Sequence, residues 1–91
     1  MDNQKRSFKS IPRSHNHVLV GQKIKELRRS KKMTQTDLAS MIVVNDEGTT
    51  MDLAVLSKIE RGVSNMTLEK LFALAKALNV KPSELFEFYI E

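Results

Sequence analysis

The chain has no cysteine among its 91 residues, and only three glycines and two prolines. Without thiols there is no disulfide framework and no thiolate metal site, which fits a reducing cytoplasm. No apolar run approaches membrane-spanning length, and the first residues lack the apolar stretch of a secretory signal. There is no glycine-rich phosphate loop, no nucleophile elbow and no acid/base constellation that a pocket would gather. His15-Asn16-His17 spells a nuclease tripeptide, but it lacks the strand–helix surroundings and the further ligand that such a site needs. The five methionines read as packing and loop residues. These gaps leave no enzyme, no cofactor and no metal to expect, and no membrane partner.

What remains is one small domain with a modest core. Net charge is +4, and its placement says more than its size. Ten of the fifteen basic residues lie between residues 5 and 32, where Glu26 is the single acid. The rest of the chain carries five basic residues and ten acids. A cationic front third favours a polyanion such as double-stranded DNA.

Residues 1–17 are polar and basic without a sustained apolar period, and read as a flexible arm ahead of a domain at 18–91. Val20, Ile24 and Leu27 then recur at helical spacing and predict a first helix over 18–31. Thr34 followed by Asp37 resembles a capping box and starts a second helix, with Leu38, Met41 and Ile42 as its apolar face. Asn45, Asp46 and Gly48 mark a loop. A third helix is predicted at about 52–60, capped by Asp52 or Thr50, with Leu56 and Ile59 buried and Gly62 just past its end. Thr67 caps a fourth, 67–78, whose apolar side holds Leu68, Leu71, Phe72, Ala75 and Leu78, with Asn79 as its stop. Pro82 opens a fifth, 82–89, with Leu85 and Phe86 turned inward. The fold class is all-α, with no strands.

Several segments in order resemble the lambda-repressor/Cro-like (Xre) helix-turn-helix family. They are Gly21-Gln22-Lys23-Ile24-Lys25-Glu26-Leu27-Arg28, Thr34-Gln35-Thr36-Asp37-Leu38-Ala39, Leu56-Ser57-Lys58-Ile59-Glu60-Arg61-Gly62, residues 71–78 and Lys81-Pro82-Ser83-Glu84-Leu85-Phe86. The resemblance implies a compact five-helix domain that binds operator DNA, usually as a homodimer, and regulates transcription. It aligns Gln35 with a phosphate-contacting glutamine, and Arg28 and Glu60 with an ion pair near the DNA backbone. Ser64 and Asn65 fall in a loop whose backbone approaches phosphates, or else form a plain connecting turn.

The chain departs from the family between its second and third helices, where it has more residues than the usual spacing. An enlarged turn over 43–50 is therefore expected. Counted back from Ser57-Lys58-Ile59-Glu60, the base-reading positions become Leu53, Ala54 and Lys58, with Asp52 as cap. Leucine and alanine offer thymine methyls apolar contact but no two-pronged hydrogen bond. Alternatively, Leu53 and Val55 pack against the inserted loop and only the far end of the helix meets DNA. Thr49 and Thr50 are then surrogate polar contacts, and Thr34, Ser57 and Arg61 complete the DNA-facing set. Asp46 and Glu47 would repel phosphates, so the loop tip should face away from the duplex or touch a protein partner. The basic arm lies in a minor groove or is unstructured in the free protein. Phe86, Phe88, Tyr89 and Ile90 exceed what one face of a short final helix buries, and are the expected dimer surface. The rival reading is an antitoxin-like protein-binding module on the same fold.

Overall fold

A computed structural model describes residues 15–88. Four α-helices and a terminal 3-10 helix follow one another: α1 (His15–Ser30), α2 (Gln35–Ala39), α3 (Leu53–Glu60), α4 (Leu68–Leu78) and the 3-10 helix Pro82–Phe86. Ile24, Leu38, Ile42, Leu56, Ile59, Leu74, Leu78 and Leu85 are fully buried and form one core to which every element contributes.

Helix α1 begins at His15, ahead of the expected Val18. The apolar period starts only where the helix meets the core, so its polar first turn left no mark in the pattern. Residues 15–17 therefore belong to the helix rather than to an arm. The rest of the expected arm lies outside the described residues.

Three helices end in the same way. In each, the N–H two residues past the last turn returns to a carbonyl five residues back, and its predecessor bonds three residues back, the Schellman arrangement. The pairs are Met33 to Arg28 and Lys32 to Arg29, Val63 to Lys58 and Gly62 to Ile59, and Val80 to Ala75 and Asn79 to Lys76. The motif needs a left-handed residue, supplied by Lys32 (φ 59°), Gly62 (φ 75°) and Asn79 (φ 59°). Gly62 and Asn79 are legible stops; Lys32 is not.

Helix α2 carries the expected reciprocal cap. Thr34 Oγ1 accepts the Asp37 N–H at 3.0 Å, and Asp37 Oδ2 accepts the Thr34 N–H at 2.9 Å. The helix is one short turn, because Met41 and Ile42 N–H groups already bond three residues back. The expected apolar face therefore divides: Ile42 is buried and Met41 is 52% exposed.

Residues 42–51 form a miniature hairpin. The Met51 N–H donates to the Ile42 carbonyl and the Val44 N–H to the Thr49 carbonyl, both at 2.8 Å. Val43 and Thr50 form an isolated antiparallel bridge, and among the described residues there is no longer strand. At the tip, Asn45 Oδ1 accepts the N–H groups of Glu47 and Thr49. Buried Ile42 and Met51 anchor its base in the core.

Helices α1 and α3 touch at two glycines. A Cβ on Gly21 would run into the carbonyls of Ile59 and Glu60, reaching the second at 2.8 Å, and a Cβ on Gly62 would sit 2.6 Å from Val18 Cα. On α4, Leu68 and Phe72 are 68% and 56% exposed, against the expectation that they pack inward. Leu71, Leu74, Ala75 and Leu78 fill the buried side without them. The expected fifth α-helix is a 3-10 helix that stops at Phe86. Its threefold turn drives Leu85 into the core and leaves Phe86, the next residue around, 51% exposed.

Candidate nucleic-acid interface

The Schellman turn after α1 places Arg28 at the meeting point of three helices. Its Nε donates to Glu60 Oε2 at 2.7 Å and its Nη2 to Glu60 Oε1 at 3.0 Å, a two-pronged pair. Its Nη1 donates to the Met33 carbonyl at 2.8 Å, tying the pair to the connection between α1 and α2. Gln35 Nε2 donates to Glu60 Oε1 at 3.0 Å, which brings in α2. The Glu60 side chain is 2% exposed. The hydrogen bond to Glu60 raises the Arg28 pKa, and the attraction of the carboxylate adds to it against the opposing effect of burial. Among the described residues no buried side-chain nitrogen or oxygen lacks a partner. That complete satisfaction is what makes a buried ion pair tolerable.

This is the ion pair that the family resemblance implies. The resemblance-based reading also puts Arg28 among the DNA contacts; here it is 7% exposed, and its Nε, Nη1 and Nη2 each donate to a group of the protein. The Gln35 bond to Glu60 and the role of the Met33 carbonyl were not anticipated. Gly21 had a signal, since a glycine inside a helix calls for a packing reason.

Helix α3 is divided along its length. Leu56, Ile59 and Glu60 are buried, while Leu53, Ala54, Lys58 and Arg61 are exposed and Ser57 is half-buried. The outward set repeats at helical spacing and forms one stripe from the first turn to the C-terminus. Asp52 stands at the N-cap position without a capping side-chain bond. Arg61 Nε lies 3.4 Å from the Ser57 carbonyl, so this cation follows the helix end. Leu53, on this stripe, is 44% exposed.

The other expected residues surround this stripe in the chain. Thr34 is exposed, with its hydroxyl engaged in the α2 cap. Thr50 is exposed on the hairpin, half-buried Ser64 bonds through Oγ to the Asn65 carbonyl, and Asn65 is exposed. Lys31 and Lys32 are exposed at the end of α1. Of the expected dimer residues, Phe86 is exposed and Phe88 packs partly against the core, while Tyr89 and Ile90 lie outside the described residues. Among the described residues, no group of three His, Asp or Glu side chains is placed to hold a metal. No described helix is long and apolar enough to cross a membrane.

Known proteins resemble this chain in sequence and fold. Residues 24–85 match a family model described as helix-turn-helix, HTH_3. Control protein C.BamHI of Bacillus amyloliquefaciens is 35% identical over 72 residues, spanning 78% of this chain and 80% of that protein. The restriction-modification controller protein C.AhdI from Aeromonas hydrophila superposes with a TM-score of 0.71 at 33% identity, over 80% of this chain and 100% of that one. Wild-type C.Esp1396I, another restriction-modification controller protein, gives a TM-score of 0.69 at 34% identity, over 81% and 88% of the two chains.

Proposed function

The chain belongs to the helix-turn-helix family, and from that premise we infer that it is a sequence-specific DNA-binding transcription regulator of the controller type. The observation that carries this reading is the Arg28–Glu60–Gln35 junction, which locks three helices together while the α3 stripe stays open. In this reading α3 enters a major groove. Leu53 and Ala54 meet thymine methyls, and Lys58 meets a guanine acceptor or a phosphate. Gln35, Thr34, Ser64 and Asn65 fix the docking through the backbone, with Thr50, Asp52, Ser57 and Arg61 at its edges. Two copies related by a two-fold axis would occupy half-sites about 34 Å apart, meeting through the region of Phe86 and Phe88. The residues of the hairpin account for the extra length over the family's usual turn. No catalytic step is assigned to the chain, and such a regulator would work in a bacterial or phage-infected cytoplasm.

Selection of bound duplexes from a random DNA pool tests this reading. Enrichment of a motif with two-fold symmetry is the expected result; a pool that remains random after repeated rounds overturns it. A protein partner is a second reading, favoured by Val43 and Val44, each at least half exposed and lining a groove of about 350 Å³ against α4, with Met41 also half exposed nearby in the chain. Val44→Asp would then abolish co-purification of a stoichiometric partner and leave DNA affinity intact.

A further inference from the structure

Glu60 does more than pair with Arg28. The fork of Nε and Nη2 is complete on its two oxygens, yet Oε1 takes a third donor, Gln35 Nε2, from a helix 25 residues earlier in the chain. That bond is not needed to neutralise the carboxylate, which Arg28 already does. Its effect falls on Gln35. A glutamine amide turns about a soft terminal torsion and has no defined orientation unless one end is held. Here the holder is a buried, charged acceptor, and such bonds are about twice as strong as neutral ones. One Nε2 hydrogen is engaged with Glu60, so the direction of the other is fixed. Glu60 itself does not repel a phosphate, because its charge is matched by the guanidinium and its side chain is buried.

We propose that Glu60 is a positioning residue for the DNA backbone: it sets the Gln35 amide so that its second Nε2 hydrogen meets a phosphate oxygen. The proposal rests on the DNA-binding reading above. It separates two tasks of one carboxylate, holding the fold through Arg28 and aiming a contact through Gln35.

Nitrogen-15 relaxation of the Gln35 side-chain amide in the free, full-length protein is the first test. An amide nearly as ordered as the backbone is expected; one that reorients freely overturns the proposal, and no variant is needed. A double-mutant cycle on a fluorescent duplex recovered from the random pool is the second. Gln35→Ala should weaken binding about tenfold on every sequence, as loss of a hydrogen bond to a charged group does. Glu60→Asp keeps a carboxylate for Arg28 but draws it back from Gln35, and should weaken binding by about threefold or more. On the Gln35→Ala background the same change should have no further effect. Both are measured where unfolding curves show each variant folded. An equal loss on both backgrounds assigns Glu60 to the fold alone and overturns the proposal. A wild-type chain that binds no duplex removes the DNA-binding reading instead, while the relaxation result still reports on the amide.

Discussion

At the scale of single residues, Glu60 and Arg28 matter most, because each buries a charge that the other neutralises. Glu60→Leu alone strands the guanidinium and should lower stability by about 3–5 kcal/mol, read from denaturant unfolding. Arg28→Met with Glu60→Leu should restore most of that loss, since an apolar pair leaves no stranded charge. Asp37 makes a different prediction. Its carboxylate accepts the Thr34 N–H, and this, with the Thr34 hydroxyl, holds its pKa below the ordinary value. A lowered folded-state pKa contributes stability that is present above the unfolded-state value of about 3.9. That contribution is lost as pH falls through the lower, folded-state value. Wild type should therefore exceed Asp37→Asn in stability at pH 7, and the gap should close as pH drops below the carboxylate range. Both residues were legible: Asp37 by its spacing from Thr34, Glu60 by family resemblance. Gln35's attachment was not, because a bond between residues so far apart in sequence depends on how two helices cross.

At the scale of elements, the ends of helices decide the fold. Lys32 occupies a left-handed position that a side chain disfavours by about 1–2 kcal/mol. Lys32→Gly should raise stability, by up to about 1 kcal/mol in thermal unfolding, with the turn unchanged. Gly21→Ala should do the opposite. Alanine is the better helix former by about 1 kcal/mol, yet its methyl meets the Glu60 carbonyl, and a net loss of about 1–3 kcal/mol is expected. Helix positions were readable from Ile24, Leu38, Leu56 and Leu71, whose period marks the buried side. What escaped was the form of short elements. The pattern Leu85-Phe86 is the same for an α-turn and a 3-10 turn; Leu85 is buried as expected, and the difference falls on Phe86, which the tighter turn leaves exposed. The hairpin escaped too, because Val43 and Thr50 pair across a loop whose sequence marked it only as a break.

At the scale of the whole molecule, the basic front and the α3 stripe define what salt and sequence should do to binding. Affinity for any duplex should fall as salt rises, as counterions reclaim the phosphates. Lys58→Ala should change the ranking of duplexes if this residue reads a base, whereas a uniform loss across all of them makes it a phosphate contact. Competition titrations with single-position operator variants distinguish these. The hairpin also gives the experimenter a vantage point. Its base is pinned at Ile42 and Met51, while Gly48 at its tip has nothing within 4 Å of where a side chain would begin. Since the polypeptide has no native thiol, Glu47→Cys would accept one dye at one known address. That fluorophore would ride on a rigid stalk and report partner arrival in real time.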